Sequence, residues 1–74
     1  MNKERRKQIS EAVDLINQAL EIIEITKEEE ETAYYNLPDS IQSGMRGEEM
    51  QEYLSQMEEA SSSLEDAADV LGEI

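Results

Sequence analysis

The chain has 74 residues, with 19 acidic and 6 basic side chains, no histidine, no cysteine and a formal net charge of −13. Those absences remove the usual pH 7 general base, a thiolate nucleophile, an ordinary zinc site and a disulfide framework. The charge repels nucleic acid and anionic membranes, and the length holds a single domain (residues 1–74) whose own core is marginal.

Residues 1–7 carry four basic groups and one acid, a net of +3, and residues 8–74 carry two basic groups and 18 acids, a net of −16. Gln8, Ser10, Glu11 and Asp14 break up the segment after the basic stretch, so no secretory signal is expected. No apolar run approaches the roughly 20 residues of a membrane span. The expectation is a cytoplasmic protein without membrane contact.

A first helix is expected over about residues 3–35. Ile9, Ala12, Val13, Ile16, Ala19, Leu20 and Ile23 recur in steps of three and four, and no glycine or proline interrupts. The stripe weakens through Thr26, Lys27 and Glu30 and resumes at Ala33, Tyr34 and Leu37. Glu30 falls on the stripe and is expected to pair with Lys27 or to reach Tyr53.

Residues 36–47 contain the only proline and two of the three glycines, so they form the turn. Pro38 before Asp39 and Ser40 suits a short helical start. Leu37, Ile41 and Met45, spaced by four, are expected on one side of it, covering the end of a hairpin.

A second helix is expected over about residues 47–73. Met50, Met57, Leu64 and Leu71 repeat every seven residues, and Tyr53 or Leu54, Ala60 or Ser61, and Ala67 or Ala68 supply the alternate seam positions. Serines 61–63 make a small patch that suits close helix approach opposite Ile23. The short connection makes the fold all-α, an antiparallel two-helix hairpin pairing Tyr34 with Met50, Leu20 with Leu64 and Val13 with Leu71. The basic stretch is expected beside Glu65, Asp66, Asp69 and Glu73. Leu15, Ile22, Ile25 and Val70 lie off the seam. Two helices offer too little core, so a homodimer, an antiparallel four-helix bundle, is expected to cover them.

Residues 28–31 are four consecutive glutamates. Successive helical residues point about 100° apart, so these do not converge on an ion. The calcium-loop pattern is missing, and a di-iron bundle site needs histidine. No metal and no cofactor is expected. Carboxylate catalysis requires a buried partner, whereas these carboxylates fall on outward helical faces, so no enzyme activity is expected. Tyr34, Tyr53, Met45, Met50 and Met57 are expected to fill the core, and Tyr35, off the stripe, to anchor a partner.

The stretch Asn36-Leu37-Pro38-Asp39-Ser40-Ile41-Gln42, followed by Arg46-Gly47-Glu48-Glu49-Met50, resembles the turn and restart of short acidic proteins encoded by phages and prophages of Gram-positive bacteria. The basic start at Lys3, Arg5, Arg6 and Lys7 fits that resemblance. It implies a helical fold, a phage setting and the host cytoplasm, but no mechanism, because the group has no assigned activity.

The expected function is that of a small non-enzymatic interaction protein that binds and modulates or inhibits a host protein, a bacterial defence component being the analogy the phage setting suggests. Its candidate partner or dimer face is Leu15, Ile22, Ile25, Tyr35 and Val70. The alternative is a nucleic-acid mimic that occupies the basic groove of a DNA- or RNA-binding protein through Glu28, Glu29, Glu31, Glu58, Glu59, Glu65 and Asp66.

Overall fold

Asn2 opens the first helix: its side-chain Oδ1 accepts a hydrogen bond from the Arg5 backbone N–H at 2.8 Å, satisfying one of the free donors of the first turn. From there the computed structural model, which describes residues 1–74, is entirely helical. Its elements are α1 (Lys3–Tyr35), the single turn α2 (Asp39–Gln42) and α3 (Met45–Gly72).

Helix α1 stops because Pro38 disfavours helical backbone at Leu37 and has no N–H to give. Its last carbonyls are taken by Asn36 N–H on Thr32 and Leu37 N–H on Tyr34, both at 3.1 Å. The Pro38 carbonyl then accepts from Ile41 and Gln42 at 2.9 Å, which closes α2. Helix α3 begins at Gly44, whose backbone is extended and whose carbonyl accepts from Glu48 N–H at 3.1 Å. Glu48 sits in that first turn, where the helix dipole favours an acid.

The two long helices run antiparallel and pack along one seam. Lys27 meets Glu58, and Tyr34 meets Gln51, so positions whose numbers add to 85 face one another. This is within one residue of the register the hydrophobic pattern predicts. On α3 the seam is Gly47, Met50, Leu54, Met57, Ser61, Leu64, Ala68 and Leu71, in unbroken steps of three and four. On α1 it runs Ile9, Val13, Ile16, Leu20, Ile23, Lys27, Glu30 and Tyr34, and Leu37 of the turn extends it.

The core is thin. Only Gly47, Met50 and Ser61 are buried, and the other seam side chains are half covered. The molecule is a rod of 58 × 15 × 12 Å with 5761 Å² of accessible surface. A compact monomer of the same mass exposes about 4,600 Å².

Four expectations are corrected. Helix α3 starts two residues earlier than residue 47, because the Gly44 carbonyl and not a later one receives the first helical bond. Of Leu37, Ile41 and Met45, Leu37 alone is half covered at the end of the seam: Ile41 is exposed and Met45 is 86% exposed, since α2 is too short to bring its apolar side over the seam. Leu54, not Tyr53, takes the seam position, and Tyr53 is 46% exposed. The basic stretch makes no ion pair with α3; the ion pairs of the chain are Lys27 with Glu24 and Lys27 with Glu58.

Candidate functional site

A hairpin of two amphipathic helices has two broad faces, one on each side of the seam, and here the two differ in chemistry. On one side, Lys27 reaches out of the seam to Glu58, its strongest partner, and lies 4.0 Å from Glu24. The hydrogen bond from Lys27 to Glu58 raises the lysine above its ordinary value of 10.5, with Glu24 and Glu31 adding to the effect and desolvation opposing it. Nearby, Gln51 Nε2 donates to the Tyr34 hydroxyl at 2.7 Å. Seven-residue steps from these positions place Asn17, Glu24 and Glu31 of α1 and Gln51, Glu58 and Glu65 of α3 on this side. Asp14, Glu21 and Glu28 flank them. It is an acidic face.

The opposite side is different. An open groove there brings Thr26 of α1 beside Tyr53, Gln56 and Ala60 of α3, floored by Ile23, Met57 and Glu30. Along the helices, the α1 stripe reads Gln8, Ala12, Leu15, Ala19, Ile22 and Thr26. The α3 stripe reads Tyr53, Gln56, Ala60, Ser63, Ala67, Val70 and Ile74. Neither stripe contains a charged residue, in a chain that is 34% charged. The α1 part alone extends about 27 Å. Leu15, Ile22 and Val70 stand 59%, 65% and 64% exposed on it. Small residues (Ala19, Ala60, Ser63 and Ala67) occupy its middle.

At the turn end, Tyr53 donates to Glu49 Oε1 at 2.6 Å, and that bond holds the phenol above its ordinary value of 10.0, with the charge of Glu49 second. Glu30 therefore pairs with neither Lys27 nor Tyr53, contrary to expectation. Lys27 turns to the other side of the seam, and Tyr53 takes the carboxylate one helical turn behind it.

No protein-family model matches the chain, and no curated protein and no solved structure matches it.

The candidate residues fall on more than one surface. Leu15, Ile22 and Val70 share the uncharged face, whereas Ile25 lies on the back of α1 and Tyr35 lies on the acidic side of the turn end, edge-on to Tyr34 at 5.3 Å. Among the acidic candidates, Glu28, Glu31, Glu58 and Glu65 lie on the acidic face. Glu59 and Asp66 are on the back of α3, and Glu29 stands at the turn end of the uncharged face. No three carboxylates converge as a metal ion requires. No helix is long and apolar enough to cross a membrane.

Apart from Val70, the α3 half of the uncharged face escaped sequence reasoning. Its signal was present: Tyr53, Ala60, Ala67 and Ile74 repeat every seven residues, one step behind the seam heptad. Alanine carries so little hydrophobic contrast that the second repeat reads as part of the first.

Proposed function

We propose that the chain is a small non-enzymatic interaction protein, phage-encoded and acting in the host cytoplasm, which dimerises through its uncharged face into a four-helix bundle and binds and modulates a host protein with the surface left outward. The observation that supports this is the division of the hairpin into one face whose stripes carry no charge from Gln8 to Thr26 and from Tyr53 to Ile74, and one acidic face along the same rod. A solubilising coat has no reason to spare one side, whereas a protein that associates does. A bacterial defence component is the partner suggested by the resemblance of the turn and restart sequences to phage proteins.

A second reading has its own observation. Glu28, Glu31, Glu58 and Glu65 line one side of a rod 58 Å long, and such a row suits the basic groove of a DNA- or RNA-binding protein. Immobilised protein incubated with lysate of a Gram-positive host at about 50 mM and about 500 mM salt separates the two. A partner retained at both salt concentrations supports the first reading. A partner lost steeply with salt, and lost on Glu28→Gln, Glu31→Gln, Glu58→Gln and Glu65→Gln together, supports the mimic. No specific partner at either concentration overturns both.

A further inference from the structure

We propose that the occupant of the uncharged face is a second copy of this chain lying antiparallel to the first, with the two turns at opposite ends of the bundle. This rests on the dimer reading above and adds its geometry. Three observations carry it.

The first is area. The rod exposes roughly 1,100 Å² more than a compact monomer of its mass, and burying that much on each copy gives an interface of roughly 2,000 Å², the size of a permanent dimer. The second is charge. Two copies of net charge −13 repel wherever their acidic surfaces meet, and the uncharged stripes are the one broad face where they do not.

The third fixes the orientation. A two-fold axis along the rod sets both +3 basic stretches side by side. An axis across the rod sets each basic stretch against the glutamates at residues 28–31 of the other copy. Within the hairpin the basic stretch has no ion-pair partner, so it is free for this contact. The crossed axis also gives a consistent register. Drawn between Asp66 and Ala67 of α3, it passes between Gln18 and Ala19 of α1, because positions adding to 85 face one another. Leu15 of one copy then meets Ile22 of the other, Ser63 meets Val70, and Ile74 enters the groove beside Ala60. Arg5 comes within one helical turn of Glu29 on the second copy.

Arg5 and Glu29 lie about 36 Å apart along a single α1 and cannot touch within one chain. Sedimentation equilibrium of the full-length protein therefore reads the pair cleanly. Arg5→Glu weakens the dimer about tenfold, because the symmetry makes the contact twice, and adding Glu29→Arg restores it. Since the chain has no cysteine, Ala67→Cys supplies a single thiol that forms an intermolecular disulfide on mild oxidation. Gln8→Cys alone does not, its copies being about 30 Å apart. A wild-type monomer at about 100 μM overturns the dimer reading and this inference together, even if the face then captures another protein. A wild-type dimer in which Ala67→Cys stays reduced and Glu29→Arg fails to rescue overturns the arrangement alone.

Discussion

The Cα of Gly47 lies against the backbone of Gln42: a methyl group on Gly47 would stand 2.8 Å from the Gln42 Cα, and closer still to its carbonyl group. Gly47 is buried in the first turns of α3, and Gln42 ends α2. The reversal of the chain is tight because one residue has no side chain.

Gly47→Ala tests this. Inside an exposed helix, replacing glycine by alanine stabilises by about 1 kcal/mol. Here the backbone of Gln42 cannot yield as a flexible side chain does, so the substitution destabilises by about 1–3 kcal/mol. Urea unfolding followed by circular dichroism reads the sign directly. A gain in stability would show that α2 is free to move away.

Gln42 has a second task. Its Nε2 donates to the carbonyls of Tyr34 at 3.1 Å, Leu37 at 3.2 Å and Tyr35 at 3.4 Å, closing the end of α1 where no left-handed residue does so. Gln42→Ala therefore costs about 1 kcal/mol. Gln42→Glu costs more, because a carboxylate has no proton to donate and adds negative charge where the dipole of α1 is already negative. The order of unfolding midpoints, wild type above Ala above Glu, is the expected result. Equal loss in the two variants would mean that the carboxylate adds no repulsion there, and no loss in Gln42→Ala would mean that the hydrogen bonds contribute nothing.

Much of this architecture was legible in the residues, and the exceptions have physical causes. The seam could be read because Met50, Met57, Leu64 and Leu71 contrast sharply with their glutamate neighbours, and the register followed from pairing two such stripes. The turn was placed by Pro38 and the glycines. The work of Gln42 and Gly47 was not visible, because it depends on where two backbones approach, and no periodicity encodes that. Tyr53 was misplaced since tyrosine suits either a seam or its rim, and its hydroxyl settled on the rim beside Glu49. The uncharged face was half read: Leu15, Ile22 and Val70 stood out as stray aliphatics, whereas Ala60, Ser63 and Ala67 form a surface only once the hairpin sets them beside Thr26 and Ile22. The basic stretch was expected to be neutralised within the chain and is not, which is what makes its charge available to a second copy.

Ser61 occupies a seam position on α3, and its buried hydroxyl has no hydrogen-bond partner. An unpaired buried hydroxyl is unfavourable, and serine is a poorer helix former than alanine. Ser61→Ala is expected to stabilise the protein by about 1 kcal/mol, with the gain visible in the thermal or urea midpoint and no change in helical content. A loss instead would indicate that the hydroxyl bonds to the backbone of its own helix.

Alkaline pH acts in the same direction on two side-chain pairs, Lys27 with Glu58 across the seam and Tyr53 with Glu49 on α3. Lys27 is raised above 10.5 by its hydrogen bond to Glu58, and Tyr53 is raised above 10.0 by its bond to Glu49. In each case the folded protein holds the proton more tightly than the unfolded chain. Each contribution to stability is therefore complete below the ordinary value and is lost as pH rises through the higher folded one. Stability is expected to be level from about pH 7 to about pH 9 and to fall between about pH 10 and about pH 12. Tyr53→Phe removes one share of that fall, because the phenylalanine ring keeps the packing beside the groove and has no proton to lose. Lys27→Met removes the other share, and at neutral pH it costs little, since Glu58 is left in solvent and not buried without a partner. Urea titrations at about pH 8, about pH 10 and about pH 11 on the wild type, the two single variants and the double variant give the comparison. An alkaline fall of the same size in the doubly substituted chain would place its origin outside these two pairs.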